Sequence, residues 1–334
     1  MSRNPPSISR LAVSFSGGGH LLPYHLGVSS ALLRRRPEKK DNDVVLLSSS
    51  SFAFSKKEAV TLPPIKAVAG SSSGAIAAVI QARLPDRIDE FTHRFISDRG
   101  NALTILKSML HEDELSSSHP PASHTAPTTT TTIVRNKLGD LSLPTLHIGT
   151  TRSVNGEFKL FSFPAHKPML FRTISSSWNT DYIIKCVEAS CHIPQSFHPF
   201  DIFSRRSLSY PEGDGVLIDG SYYVDGAISC PAPPPTPYDK EDDCFHISVS
   251  PISGGKKADH LERHARISPS DESFSFLPLD VSLKGGFKVK PSVQNLRALR
   301  VSVGAASSEE LQYWFEKGLE DGEMFVNDWT KKIL

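Results

Sequence analysis

The pentapeptide at residues 70–74, Gly-Ser-Ser-Ser-Gly, constrains this chain more than any other segment. It follows an apolar, strand-like run and precedes an alanine-rich, helix-like run that begins at Ala75. A G-x-S-x-G sequence between a strand and a helix is typical of a nucleophile elbow, whose tight turn lifts the central serine above the edge of a sheet. Gly70 and Gly74 flank the turn because a Cβ would collide with neighbouring backbone there. The pentapeptide predicts an α/β fold with Ser72 as the nucleophile, and a small-residue turn without chemistry is the alternative.

A second glycine motif lies near the N-terminus, where the apolar run 11–15 leads through Ser16 into Gly17, Gly18 and Gly19. Consecutive glycines let backbone N–H groups point into one concavity, which suits an anion. Beside a serine nucleophile, such a loop predicts an oxyanion hole for acyl transfer. A phosphate-binding loop is disfavoured because Gly-Lys-Ser/Thr and the spaced glycines of a dinucleotide site are missing. A purely structural glycine turn remains the alternative.

The serine hydroxyl needs a base, because its own pKa lies far above 7. Two Asp-Gly pairs supply candidates, Asp219-Gly220 and Asp225-Gly226, and the second follows the strand-like run 222–224. Asp-Gly is also a common hairpin turn, so local physics alone does not choose between the two.

Together, the three motifs resemble those of the patatin-like lipid acyl hydrolases. The resemblance implies a three-layer α/β/α sandwich with a central, mostly parallel sheet, and a catalytic Ser–Asp dyad in place of a triad. It makes Ser72 the nucleophile, makes Asp225 the base in an Asp-Gly-Ala motif with Gly226, and leaves Asp219 to a hairpin turn. The implied oxyanion hole consists of Gly17, Gly18 and Gly19.

Within this family the chain resembles above all the group of adipose triglyceride lipase and adiponutrin. The likeness rests on residues 24–28 after the glycine loop, residues 189–194 before the base, and residues 318–322 near the C-terminus. The chain departs from the group at residues 229–233, Ser-Cys-Pro-Ala-Pro, where Asn-x-Pro is usual. The group implies a neutral lipid substrate, whereas the wider family favours phospholipid and galactolipid.

A Ser-Asp-His triad is the main alternative mechanism, since α/β-hydrolases also use G-x-S-x-G, in the order serine, acid, histidine. His246, His260 and His264 all follow Asp225 and satisfy that order. Order alone is a weak argument in a chain with 13 histidines, and His246 lies in an alternating strand pattern. We favour the dyad, which predicts activity that is independent of histidine titration near pH 6.5.

Length and composition limit the remaining classes of protein. The 334 residues suffice for one large α/β domain. A net charge of +1 gives no case for nucleic acid. The chain has no apolar run of about 18 residues and no signal-peptide core. Its four cysteines show no CxxC pairing. We expect a cytoplasmic protein, not secreted, that associates peripherally with membranes or lipid droplets.

Helix-like and strand-like runs alternate, as in a sheet covered by helices. Helices are predicted at residues 22–35, 75–83, 87–98, 103–112, 182–190 and 308–327, and strands at 11–15, 65–69, 145–150, 158–161, 216–218, 222–224 and 245–249. We expect a tail at residues 1–9 and a single lipase domain over 10–330. Loop inserts are predicted near 37–64, 116–132, 203–215 and 229–243.

The predicted function is hydrolysis of fatty-acyl esters, in triacylglycerol or phospholipid, through an acyl-enzyme. No metal site and no organic cofactor are expected, because the spacing typical of zinc or calcium ligands is missing. The expected partners are a lipid substrate at a membrane or droplet surface and a protein co-activator. Acyl transfer to a second lipid and a non-catalytic, lipid-binding role are the alternatives.

Overall fold

The structure is a computed structural model that describes residues 8–34, 62–98, 101–118, 143–164, 179–198, 209–211, 213–235, 244–254, 258–259, 263–269, 281–282, 288–304 and 306–333.

Nine strands of the described chain form one central sheet. They are β1 (Arg10–Phe15), β2 (Ile65–Ser71), β3 (Thr145–Arg152), β4 (Phe158–Phe163), β5 (Val216–Ile218), β6 (Ser221–Asp225), β7 (Cys244–Val249), β8 (Ala258–Asp259) and β9 (His264–Ile267). Their order is β5-β6-β3-β2-β1-β7-β9-β8, and β4 also pairs with β3. The five central strands are parallel to their neighbours, in the order β3, β2, β1, β7 and β9. Four further strands pair in the antiparallel direction: β4 and β6 with β3, β5 with β6, and β8 with β9. This confirms the predicted α/β class with a mostly parallel sheet.

Helices cover this sheet. Those described are α1 (Leu22–Arg34), α2 (Ser73–Arg83), α3 (Ile88–Asp98), α4 (Ala102–Ser118), α5 (Thr180–Cys191), α6 (Val293–Val303) and α7 (Ser308–Ile333). Helix α2 contacts β1, β2 and β3, α5 contacts β3 and β6, and α7 packs along α1. Within the described residues, no helix is long and apolar enough to span a membrane.

The strand order brings the ends of β2 and β6 together. Gly149 of β3 lies between Ser71 of β2 and Leu160 of β4. The next residue, Thr150, lies between Asp225 of β6 and Lys159 of β4. Strands β2 and β6 therefore follow one another along the same edge of β3 and meet end to end, at the carboxyl ends of the parallel strands. Ligands of open α/β sheets bind at this edge.

The predicted inserts are only partly within the described residues. Helix α4 continues to Ser118, beyond its predicted end at residue 112, and includes the start of the insert predicted at 116–132. Residues 229–235 are described, and they pack onto the sheet, where the Pro233 carbonyl accepts a hydrogen bond from Ser14 Oγ. Most of the inserts predicted at 37–64 and 203–215 lies outside the described residues. Helix α6 and the strands β8, β9, β10 (Val281–Ser282) and β11 (Lys288–Val289) were not among the predicted elements.

Candidate active site

Ser72 stands on a strained turn between β2 and α2. Its backbone φ of 55° and ψ of −132° lie outside the regions that non-glycine residues favour. A Cβ on Gly70 would lie 2.0 Å from the Gly74 carbonyl oxygen, and a Cβ on Gly74 would lie 2.4 Å from the Phe15 carbonyl oxygen. The turn therefore requires glycine at both ends, as the sequence predicted. Ser72 is partly exposed, between two buried serines.

Asp225 lies at the end of β6 with its carboxylate beside this serine. The Ser72 side chain lies close enough to the carboxylate to act on it as a hydrogen-bonding partner that lowers its pKa, and the Ala227 N–H donates to Oδ1 at 2.8 Å. Burial raises the pKa of Asp225 from 3.8 to about 6, although both hydrogen bonds and the nearby His192 lower it. Asp225 is therefore mostly ionised at neutral pH and more basic than an exposed carboxylate, which suits a general base.

Gly226 lets β6 approach the elbow closely. A Cβ at this position would lie 2.1 Å from the Gly149 carbonyl oxygen and 2.9 Å from Ser71 Oγ. The Asp225 carbonyl accepts a hydrogen bond from Thr151 Oγ1 at 2.8 Å, which ties the end of β6 to β3. The base thus reaches Ser72 because glycine follows it.

The glycine loop borders both residues, and the structure corrects one part of its predicted role. A Cβ on Gly17 would lie 2.6 Å from Ala227 Cβ and 3.4 Å from Ser72 Cβ. The Gly17 N–H, however, donates to the Pro231 carbonyl at 2.8 Å, so it is not available to an oxyanion. In the described part of the chain, the N–H groups of Gly18 and Gly19 donate to no backbone carbonyl. Of the three N–H groups predicted to form an oxyanion hole, those of Gly18 and Gly19 therefore remain candidates.

This hydrogen bond gives a structural role to residues 229–233, where the chain departs from the family pattern. The Pro231 carbonyl anchors the start of the glycine loop, and the Pro233 carbonyl binds Ser14 in the strand before it. The altered segment therefore holds the loop next to Asp225, and no sequence motif indicated this contact.

Helix α6 and Pro251 close the outer side of the glycine loop. Gly19 has a φ of 54°, and a Cβ there would lie 2.1 Å from the Ser302 carbonyl oxygen of α6. A Cβ on Gly18 would lie 3.1 Å from Pro251 Cγ and 3.6 Å from Nε2 of the buried His25. The loop is thus packed from several sides and leaves little room for side chains.

Sequence reasoning did not assign roles to two residues at the end of α5. Ser190 Oγ accepts a hydrogen bond from the Ser72 N–H at 2.8 Å and donates to the Gly149 carbonyl at 2.6 Å. The His192 carbonyl accepts from the Asp225 N–H at 2.8 Å. One helix end therefore supports both Ser72 and Asp225. The family resemblance of residues 189–194 was the only signal for these contacts.

The histidines of the alternative triad lie elsewhere. His246 of β7 is the strand partner of Ala12 in β1 and of His264 in β9. It stands three residues before the end of β7, and β1 separates β7 from β2. Burial, and then the neighbouring His264, lower the pKa of His246. His260 lies outside the described residues.

Asp219 forms a hairpin turn, as predicted. Asp219 and Gly220 have φ values of 47° and 77° and connect Ile218 to its strand partner Ser221. Two positive φ values in a two-residue loop are typical of a type I′ turn. The Asp219 carboxylate accepts a hydrogen bond from Tyr182 Oη at 2.6 Å, so it stabilises the hairpin.

Comparison with solved structures returns distant similarities. The chain is similar to VipD of Legionella pneumophila, with 14% identity and a TM-score of 0.36, over 97% of this chain and 67% of VipD. It is also similar to the ExoU–SpcU complex of the type III secretion system of Pseudomonas aeruginosa, with 14% identity and a TM-score of 0.30. That match covers 97% of this chain and 53% of the other, so the chain spans about half of that relative.

Comparison with protein families gives a direct assignment. No curated protein matches the chain. The sequence model of the family "Patatin-like phospholipase" matches residues 13–236, a span that contains the glycine loop, the elbow and the base motif. Since the match covers well over half of the 334 residues, this chain belongs to the patatin-like phospholipase family.

Proposed function

We propose that this protein is a lipid acyl hydrolase that cleaves fatty-acyl esters through an acyl-enzyme on Ser72. One observation carries the proposal: Ser72, on a strained strand-to-helix turn, lies beside the buried carboxylate of Asp225 and lowers its pKa, which burial raises to about 6. A nucleophile within hydrogen-bond reach of a base matched to neutral pH is the arrangement that serine acyl transfer needs. The N–H groups of Gly18 and Gly19, which donate to no backbone carbonyl among the described residues, add electrostatic stabilisation.

In the first half-reaction, Ser72 Oγ attacks the ester carbonyl carbon while its proton moves to Asp225. The negative charge on the tetrahedral intermediate is stabilised by the N–H groups of Gly18 and Gly19, and by the positive end of the α2 dipole. Collapse of the intermediate breaks the ester bond, and Asp225 returns the proton to the leaving alcohol.

In the second half-reaction, water attacks the acyl-serine and gives a proton to Asp225. The same N–H groups stabilise the second oxyanion, and the proton returns to Ser72 Oγ as the fatty acid leaves. Losing one such donor typically lowers turnover by about 10²–10³. The Ser72 N–H donates a hydrogen bond to Ser190 Oγ, and the Asp225 N–H donates one to the His192 carbonyl. These two bonds hold Ser72 and Asp225 in place during each cycle.

Two lipid classes are the candidate substrates. The family description points to phospholipid. The resemblance to the adipose triglyceride lipase and adiponutrin group, which rests on residues 24–28 and 318–322, adds triacylglycerol. We place the reaction at the surface of a membrane or lipid droplet, where a co-activator protein is a further candidate partner. We also propose that residues 10–330 form a single lipase domain.

The test is fatty-acid release from phospholipid vesicles and from emulsified triacylglycerol. We expect wild type to release fatty acid from at least one of them, and Ser72→Ala and Asp225→Asn to lose activity by at least about 10³-fold. The matched controls are Ser248→Ala, whose hydroxyl makes a 3.4 Å bond to the Ala265 carbonyl on β9, and Asp86→Asn at an exposed turn. Both controls should retain activity.

Other outcomes would replace parts of the proposal. Activity retained by Ser72→Ala would mean that another group is the nucleophile, and near-normal activity of Asp225→Asn would remove Asp225 as the base. A new acylated lipid formed from an added lysophospholipid or monoacylglycerol would identify acyl transfer. If folded wild type releases nothing from either lipid and transfers nothing, the protein is a lipid-binding relative without catalysis.

A further inference from the structure

Helix α6 turns an apolar face to solvent. Its four exposed large apolar residues are Val293 (50%), Leu296 (58%), Leu299 (51%) and Val303 (80%). At 100° per residue these positions share an arc of about 120° on the helix. The buried side of the same helix contains Asn295, Ala298 and Val301. The usual amphipathic arrangement, with polar residues toward water, is therefore absent from this helix.

The charge on and around this face is positive. Arg300 projects within the same arc, its side chain is 75% exposed, and its guanidinium lies 3.8 Å from a carboxylate oxygen of Glu310. Arg297 instead packs against α7, with a bond to Glu310 at 2.8 Å and its guanidinium 4.0 Å from the centre of the Tyr313 ring. Residues 283–303 contain five lysines and arginines and no aspartate or glutamate, in a chain whose net charge is only +1.

Helix α6 borders the candidate active site. The Ser302 carbonyl of α6 packs against Gly19, next to the proposed oxyanion donors. The helix is held in place by Asn295, whose side chain accepts from the Ser253 N–H and donates to the Ser253 carbonyl, both at 2.8 Å. On the base side of the site, Ile193 is 63% exposed and follows the residue whose carbonyl binds Asp225. Exposed apolar side chains thus flank the site on both sides.

We propose that the exposed face of α6 is a docking surface for membranes that contain anionic phospholipid. Val293, Leu296, Leu299 and Val303 would enter the boundary between headgroups and acyl chains, and Arg300 would meet lipid phosphate. A helix that exposes an apolar face with basic neighbours can bind such interfaces, with about 1 kcal/mol from each basic residue near the surface. One part of this proposal rests on the proposed function: docking is expected to present lipid to Ser72 for hydrolysis.

A second copy of the chain fits this face less well. Stable protein interfaces use about 20–30 residues from each partner, whereas α6 offers four apolar side chains.

Vesicle co-sedimentation tests the docking surface directly. Wild type should bind vesicles of phosphatidylcholine with phosphatidylserine more tightly than phosphatidylcholine alone, and added salt should reduce the difference. The variant Leu296→Gln/Leu299→Gln should lose at least about tenfold in binding to both. Arg300→Gln should lose about fivefold on the anionic vesicles alone.

The matched control is Leu115→Gln, at an equally exposed leucine of α4. Leu115 follows Glu114, which binds Thr180 at the start of α5. The 12 residues of α5 separate this end from the end that supports the active site, a distance of about 16 Å. This variant should bind vesicles as wild type does.

Hydrolysis of a water-soluble short-chain ester separates docking from catalysis. The α6 variants should cleave that ester at the wild-type rate and lose activity on vesicles in proportion to their binding. Wild-type vesicle binding by Leu296→Gln/Leu299→Gln, or no binding by wild type, would overturn the docking surface. The docking surface would also be overturned if Leu296→Gln/Leu299→Gln reduced only the self-association of the protein, as measured by sedimentation velocity, and left vesicle binding unchanged. If binding depends on α6 but wild type cleaves no ester, the surface stands and the proposed function fails.

Discussion

Asp225 is a residue whose burial makes its charged form, the form required by its proposed role as a base, less stable. Its carboxylate is 6% exposed, and burial is the largest cause of its raised pKa of about 6. Ionisation of this group near neutral pH therefore costs folding free energy that an exposed aspartate would not cost. The same pKa places the acidic limb of activity near pH 6, where a histidine would also titrate. A pH–rate profile alone would not distinguish the dyad from a triad.

Asp225→Asn should stabilise the protein in a pH-dependent manner. The pKa of Asp225 is raised on folding, so its contribution to stability is fully present below the unfolded pKa near 4 and is lost as pH rises through 6. Asparagine removes this loss. We expect the variant to unfold at higher denaturant concentration than wild type at pH 7.5, by up to about 3 kcal/mol, with the advantage declining toward pH 4. A stability difference that does not change with pH would contradict the raised pKa, and Asp86→Asn is the exposed control.

At the scale of secondary structure, helices α1 and α7 are in backbone contact. A Cβ on Gly27 would lie 2.2 Å from the Phe315 carbonyl oxygen, and one on Gly318 would lie 2.1 Å from the Tyr24 carbonyl oxygen. Tyr24 Oη also donates to Asp321 Oδ2 at 2.8 Å across the same interface. This contact explains why two family-like segments, 24–28 and 318–322, occur at opposite ends of the chain: they pack against each other.

Gly27→Ala should therefore destabilise the protein. The added methyl group would meet a backbone oxygen of α7, which cannot move away without shifting the helix, and overpacking of this kind costs about 1–3 kcal/mol. Urea denaturation followed by far-UV circular dichroism measures the loss. The comparison variant is Gly304→Ala, after the end of α6, where a Cβ would meet one atom within 4 Å, the Arg300 carbonyl oxygen at 2.9 Å. Equal stability of Gly27→Ala and wild type would mean that the two helices are not in close contact.

Elements with a clear hydrophobic period were predictable, and those without one were not. The runs that became β1, β2, α1 and α2 were identified within a few residues, because apolar periodicity and glycine motifs mark them. Helix α6 was missed, since its exposed apolar residues blur the amphipathic period. Strands β8, β10 and β11 have two residues each and leave no periodic signal.

The candidate site likewise has parts that could be predicted from the sequence and parts that could not. Local motifs identified Ser72, the glycine loop and the Asp225 motif. The contacts that hold them could not be inferred, because each joins residues far apart in sequence. The bond from Gly17 to Pro231 and the bond from Ser72 to Ser190 depend on how the sheet brings these segments together.

At the scale of the whole molecule, the core continues beyond the residues that the family model matches. The match ends at residue 236, but β7 pairs with β1 along its whole length, from Cys244 opposite Arg10 to Val249 opposite Phe15. The fully buried Trp314 of α7 packs edge-on against Tyr24 of α1, with ring centres 6.2 Å apart. The C-terminal third therefore covers one edge of β1 and one side of α1.

A fragment that ends at residue 236 should consequently fail to fold. In this fragment β1 would lose its strand partner β7, and α1 would lose α7, against which its backbone packs. The unpaired strand edge and the exposed apolar side of α1 would both favour aggregation. The full chain, in contrast, should unfold in one transition, so that tryptophan fluorescence and far-UV circular dichroism give the same midpoint in urea. A soluble, cooperatively folded fragment, or two separate transitions in the full chain, would show that the C-terminal third is an independent unit. Coincident transitions would support one lipase domain over residues 10–330, because the two tryptophans of α7, Trp314 and Trp329, would then report on the same unfolding event as the sheet.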